Sequence, residues 1–345
     1  MSALSVDPLW PRAGAWPTPT GEEAPDAVLL GVPAWRTSLS PTGAGETPAA
    51  VREALRRYSP TIMGPPPLDL NAALRIADAG DVEEPDGREG EARVRAAVDE
   101  LASARLLIAL GGDNSATYAV AQGRRAEGLI TLDAHFDLRD GESNGSPVRR
   151  LLAEGLDPRR VVQIGIADFA NSAAYARRAL DAGITVITLD EVRRRGVDEV
   201  VTAALRIAGG GADGLRGAGG HGADVRSEGD GDAPDPRRAA APLTVHGDTA
   251  PPPAPGRPGA PGGIHLDIDV DVCDRSVAPG CPASVPGGLA AWELRALVRG
   301  IARDPLVASA DIVEVDATAD TADARTVRLA ALCVLELLAG LAERP

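Results

Sequence analysis

The chain has 345 residues, 44% of them apolar, which suffices for one large α/β domain or two smaller ones. Thirty-five basic against fifty acidic residues leave a formal charge of -15, which argues against nucleic-acid and anionic-membrane partners because phosphates are repelled over most of the surface. Three cysteines without CxxC spacing suggest neither a disulfide framework nor a thiolate metal site, and no segment reaches about 18 uninterrupted apolar residues, so a soluble, cytoplasmic protein is expected.

The first 26 residues are rich in Pro, Trp and Gly and read as irregular surface chain, with no basic start and apolar run of a leader. Ala27–Val32 (AVLLGV) is the first strand, and after a Gly, Ser and Pro loop Thr47 is a candidate N-cap, with Pro48 opening a helix through Arg57. Ile76–Ala79 reads as a short strand and Glu91–Ala102 as a helix; Arg105–Leu110 then has the uncharged interior of a strand buried on both faces. It empties into Gly111-Gly112-Asp113-Asn114-Ser115, followed by a helix over Ala116–Gln122 and a strand over Leu129–Leu132. A helix at Arg149–Glu154, a strand at Val161–Ile166, a helix at Ser172–Ala182, a strand at Thr185–Leu189 and a helix at Val197–Ile207 continue the alternation. Such a rhythm implies a parallel sheet with right-handed crossovers and ligands beyond the carboxyl ends of its strands.

Residues 208–262 break the pattern with Gly, Pro, Ala and Asp and no hydrophobic periodicity, as expected of a disordered low-complexity insertion in a single domain spanning 1–345. Its histidines, His221 and His246, read as solvated bystanders. Next comes IHLDIDVDVCDRSVAPG (264–280), in which Leu266, Ile268, Val270 and Val272 alternate with Asp267, Asp269 and Asp271. On a strand the carboxylates share one face, where they repel one another. Either a multivalent cation resolves that repulsion or the strand is an edge whose acids face water. A helix at Ala291–Ala302, a strand at Ala310–Val315 carrying Glu314, and a helix at Thr326–Leu341 complete the chain.

DAHFD places Asp133, His135 and Asp137 at spacing two just after a strand, so the three converge where the backbone stays extended. Imidazole with carboxylates suits Mn, Fe or Zn. Together with Asp269 and Asp271 they are enough for two ions about 3.5 to 4 Å apart, a pair that lowers the pKa of a water between them toward neutrality. The bland alternatives are a core histidine for His135, a turn residue for Asp113, a structural ion pair for Glu314 and a turn position for Cys273.

In this company GGDNS (111–115), DAHFDLR (133–139), SNGSP (143–147), DIDVDVCDRSVAPG (267–280) and DIVEVDAT (311–318) resemble the ureohydrolase family of arginases, agmatinases and formimidoylglutamases. The resemblance runs from residue 29 to the C-terminus, apart from the insertion. It implies a three-layer α/β/α fold with a mostly parallel eight-stranded sheet, two Mn2+ ions, a small amidine or guanidino substrate and a homo-oligomer, trimer or hexamer. Aligned on APG (278–280), it makes Asp133 and Asp269 bridge both ions, His135 and Asp271 complete one site, and Asp137 belong to the other. Asp267 falls where the family has a small residue and is not carried over; Asp274 is left as a supporting or turn residue. Glu314 matches the acid that holds the amidine or guanidinium group.

Two departures stand out. Asn114 replaces a His that ligates the more labile metal, and an amide carbonyl is the poorer donor for a transition ion. Asn144 replaces a His thought to shuttle protons. The candidate catalytic set is therefore Asp137, Glu314 and Asn144, with Arg139, Asn144 and Glu314 on the substrate. A basic residue after the second Asp of DAHFDLR resembles formimidoylglutamase most, since Arg139, with help from Arg149 or Arg150, can hold a substrate carboxylate. The resemblance thus points to hydrolysis of N-formimidoyl-L-glutamate to L-glutamate and formamide in histidine catabolism. The alternatives are an agmatinase or guanidino-acid ureohydrolase releasing urea, and a non-catalytic relative serving as a binding or assembly module.

Overall fold

The computed structural model describes residues 7–21, 23–211 and 262–345, so the insertion expected over 208–262 lies almost wholly outside the described residues. In chain order the elements begin with β1 (Ala27–Val32), α1 (Thr47–Leu55), β2 (Thr61–Ile62), β3 (Leu68–Asp69), α2 (Leu70–Ala73), β4 (Ile76–Asp81) and α3 (Gly87–Glu100). They continue with β5 (Leu106–Gly111), α4 (Ser115–Gly123), β6 (Gly128–Leu132), α5 (Pro147–Ala153), β7 (Val161–Ile166), α6 (Ala173–Ala182), β8 (Thr185–Thr188), α7 (Leu189–Arg195) and α8 (Val197–Ala208). Last come β9 (Ile264–Asp269), α9 (Ala291–Ala302), β10 (Val307–Val313) and α10 (Arg325–Ala342).

The main sheet has eight strands in the order β4-β1-β5-β10-β9-β6-β7-β8, and every pairing in it is parallel. Strand periodicity divides its side chains between two helical layers. Leu29, Ile108, Ile130, Ile268 and Ile312 face one core with α1, α2, α7, α8, α9 and α10. On the other face Val28, Leu107 and Val313 pack with α3 and α4, while Leu129 and Val161 pack with α4, α5 and α6. This three-layer architecture is the expected one. Among the described residues no helix is long and apolar enough to cross a membrane.

Between the two apolar clusters of the second face, β10 and β9 present the buried polar residues Ser309 and Asp311, and His265, Asp267 and Asp269. Asp311 on β10 is in register with Asp267 on β9, Asp267 with Thr131 on β6, and Thr131 with Gln163 on β7. All four are fully buried. One step below, His265 contacts Ser309 Oγ through Nδ1 (2.8 Å) and Asp311 Oδ2 through Nε2 (3.1 Å).

Two local expectations are corrected. The strand pattern of 264–280 stops at Asp269, and Val270–Val272 form a 3-10 turn in which Asp269 Oδ1 accepts the Asp271 N–H at 2.8 Å. Asp271 is thereby turned off the sheet. Thr47 is the first helical residue and not the cap; its hydroxyl donates to the Val315 carbonyl at 2.5 Å, tying α1 to the chain beyond β10.

Candidate active site

Four neighbouring central strands, β5, β10, β9 and β6, run parallel and so end on the same edge of the sheet. Their continuations bring Asn114, Glu314, Asp269 with Asp271, and Asp133 with His135 and Asp137 to one place. Gly112 makes the first possible: a Cβ there would lie 2.0 Å from the Ala34 carbonyl oxygen, which instead accepts the Asp113 N–H at 2.7 Å. Asp137 (φ 52°) and Glu314 (φ 62°) both adopt left-handed backbone, which is uncommon outside glycine and concentrates at functional positions.

Asp133, His135 and Asp271 offer ligand atoms that all lie within 4.8 Å of one another. His135 Nδ1 is 2.7 Å from Asp271 Oδ2 and 3.6 Å from Asp133 Oδ1. Adjacent donors on one ion, each ~2.1 Å from it, stand about 3 Å apart, so this spacing fits a shared divalent cation. Asp133 Oδ2 is buried without any protein partner, and imidazole with carboxylates is a donor set for a borderline-hard ion. The residues therefore fit a metal. Asp137 and Asp269 meet on a second side, where Asn114 Nδ2 donates to Asp137 Oδ2 (2.7 Å) and Asp269 Oδ2 (3.2 Å). Asn114 turns its carbonyl to Thr117 Oγ1 at 2.6 Å. A half-turn of the amide exchanges the two ends, because the threonine hydroxyl both donates and accepts.

The electrostatics describe a site short of positive charge. Burial, with Asp271 close by, pushes Asp133 up to about 6. Burial and neighbouring carboxylates hold Asp137 and Asp269 well above the usual range. Burial would lower the His135 imidazolium, but Asp271 and Asp133 carry it up to about 11. Against the opposing effect of burial, His135 in turn keeps Asp271 low.

Asp267 stands apart from this group. Both its oxygens are buried without hydrogen-bond partners, and burial followed by the Asp311 carboxylate drives its pKa well above the usual range. Asp274 is a turn residue that accepts from Ser276 N at 2.8 Å and Gly287 N at 2.6 Å. Cys273 is buried and bridges to Leu289.

Glu314 Oε1 accepts the Asn114 backbone N–H (2.7 Å) and Asn144 Nδ2 (2.8 Å), while Asn144 Oδ1 accepts the Leu39 N–H (3.0 Å). Burial and Asp113 push Glu314 up to about 8 against those donors. A cleft of about 270 Å3 opens above, lined by His135, Asp137, Arg139, Asn144, Asp269, Asp271 and Glu314. Arg139 is exposed at this cleft, and its chain neighbour Asp140 pairs with Arg178 at 3.1 Å. The helper arginines are corrected: Arg149 donates to the Arg139 carbonyl (2.7 Å) and to Gly141 O, and Arg150 is bidentate to Glu91 (2.6 and 2.8 Å) over the Tyr118 ring. Arg149 thus holds the loop after β6, and Arg150 ties α5 to α3 and α4.

The cleft also includes Leu39 and Ser40 from the β1–α1 connection, Pro282 and Ala283, Asn171 and Ser172 from the β7–α6 connection, and Tyr175 from the first turn of α6. Sequence reasoning missed these. The one available signal was that the loop after β7 leaves the same edge of a parallel sheet.

The Arginase family model matches residues 25–215 and 257–340 of this chain. A formimidoylglutamase of Bacillus subtilis is 30% identical over 342 residues, covering 94% of this chain and 90% of that protein. The crystal structure of formimidoylglutamase from that species matches with a TM-score of 0.78 at 28% identity, covering 100% of this chain and 96% of that one. A guanidinopropionase of Pseudomonas aeruginosa is 29% identical over 342 residues, covering 95% and 90%. Matching in fold and over most of its length in sequence, the chain belongs to the arginase family.

Proposed function

We propose that this chain hydrolyses the carbon–nitrogen bond of a linear amidine, N-formimidoyl-L-glutamate, giving L-glutamate and formamide in histidine catabolism. The observation that carries the reading is a cleft with a buried carboxylate, Glu314, at its floor and the arginine Arg139 along its wall. A substrate with a cationic amidine and a carboxylate matches both groups. The similarity to the B. subtilis formimidoylglutamase supports the same substrate.

Asp133, His135 and Asp271 would hold one Mn2+, and Asp137 and Asp269 with Asn114 a second, with Asp133 and Asp269 shared between them. Bound there, the metal supplies Lewis acidity that makes water a nucleophile at neutral pH. The chain's own residues do the rest. Glu314, fixed at Oε1 by Asn114 and Asn144, has Oε2 to bind the amidine N–H groups, and the substrate's positive charge favours its carboxylate form. Asp137 Oδ1 takes the proton of the attacking water and returns it to the leaving nitrogen. Arg139 fixes the glutamate end, so that the amidine carbon is held over the acids. The wider reading adds a cytoplasmic location and a homo-oligomeric state, the second of which sedimentation of the purified protein tests.

Incubation with Mn2+ and N-formimidoyl-L-glutamate, followed by assay of formamide and glutamate, tests the reaction. A guanidino acid such as guanidinopropionate is the second reading, favoured by the P. aeruginosa relative, because it too offers Arg139 a carboxylate.

A further inference from the structure

Asn171 lies on the β7–α6 connection, outside the acidic cluster, and the reaction above gives it no part. Its side-chain amide is wholly engaged with backbone. Oδ1 accepts the Phe136 N–H at 3.2 Å, and Nδ2 donates to the carbonyls of Ala134 at 2.8 Å and Ala167 at 3.3 Å. Ala134 and Phe136 flank His135, so one side chain grips both neighbours of the imidazole that lies 2.7 Å from Asp271.

The grip matters because beyond the end of β6 at Leu132 the backbone bonds to the β7 side run only as far as Ala134, from Asp133 N–H to the Ile164 carbonyl (3.0 Å) and from Ala167 N–H to the Ala134 carbonyl (3.1 Å), and neither holds Phe136. Besides these, Ala134 N donates to Asp271 Oδ1 (3.0 Å), Gln163 Nε2 donates to the Phe136 carbonyl (3.0 Å), and the Phe136 N–H has Asn171 as its acceptor. A part-buried N–H without an acceptor relaxes toward water or another partner, carrying the adjoining backbone with it. Ligand geometry tolerates little of that movement.

We propose that Asn171 is a positioning residue that clamps residues 134–136 and thereby aims His135 at the metal. The proposal rests on the reading of His135 as a ligand, and its test separates the two. Asn171→Ala removes all three bonds. Asn171→Asp is nearly isosteric and keeps the acceptor for Phe136, but sets a carboxylate against the Ala134 and Ala167 carbonyls.

Mn2+ affinity, read from the electron paramagnetic resonance signal of free Mn2+, is expected to fall about 10- to 100-fold in both variants, the range for partners that orient metal ligands. Amide exchange measured without added metal is expected to quicken over residues 133–138 while β5, β10 and α6 keep wild-type protection. A role in packing alone predicts that the Asp variant behaves as wild type in both measurements, which would overturn the proposal. So would lost activity with unchanged Mn2+ affinity and unchanged exchange, the signature of a substrate contact. Failure of the wild-type protein itself to bind Mn2+ would sink the metal reading, leaving the exchange measurement to decide whether the clamp exists.

Discussion

Asn114 donates from its amide nitrogen to Asp137 Oδ2 at 2.7 Å, so a neutral side chain stands among acids where the family resemblance implies a metal-ligating His. Presenting its carbonyl to a cation requires the amide to turn and to give up its bonds to Asp137 and Asp269. Replacement by imidazole supplies a better donor for a transition ion without that rearrangement. Asn114→His is expected to raise the Mn2+ retained per chain after dialysis by up to one ion, measured by elemental analysis. An unchanged count would show that Asn114 does not border the second site. Retention of no ion by the wild-type protein, with no turnover, would favour a non-catalytic relative.

Glu314→Gln keeps the shape of the floor and removes its charge. Loss of a charge-assisted bond to the amidine is expected to lower kcat/KM about 100-fold, with Mn2+ stoichiometry unchanged because Glu314 is not among the residues proposed to hold the ions. Steady-state kinetics beside metal analysis reads both effects; a Gln variant of wild-type activity would remove Glu314 from the substrate.

Arg139→Ala tests the other end of the cleft. A hydrogen bond to a charged partner contributes about 1.5 to 3 kcal/mol, so kcat/KM for N-formimidoyl-L-glutamate is expected to fall about 10- to 100-fold. Turnover of an amidine without carboxylates should change little. Equal losses on both substrates would mean that Arg139 shapes the loop and does not bind the glutamate end.

Asp267 offers a stability test. Its folded pKa is raised by burial and by Asp311, so keeping this carboxyl protonated or burying it charged costs progressively more as pH climbs above the ordinary Asp value. Asp267→Asn mimics the protonated acid and can donate to Asp311. Denaturant unfolding is expected to show little difference near pH 4 and a gain of about 1 to 3 kcal/mol by pH 8. A gain independent of pH, or a loss at pH 8, would contradict the assignment of this burial cost.

Much of this was legible in the chain because parallel strands write themselves as short uncharged runs, and because the strand-end acids sit at fixed spacing from them. Leu106–Gly111 and Val161–Ile166 are cases of the first, Asp133, His135 and Asp137 of the second. The alternation of 264–272 hid the break after Asp269, since a 3-10 turn and a strand share the same residues until hydrogen bonds choose between them. The fates of Arg149 and Arg150 depend on Gly141 and Glu91, and that of Asn171 on Ala134, contacts made by folding that no local pattern encodes.

The most direct test of the account is a product assay on the purified, Mn2+-loaded protein against N-formimidoyl-L-glutamate, agmatine, guanidinopropionate and guanidinobutyrate, with formamide, urea and ammonia measured in parallel. The account predicts equimolar formamide and glutamate from N-formimidoyl-L-glutamate, and no urea from agmatine. Urea from agmatine or a guanidino acid, with formimidoylglutamate left intact, would contradict it.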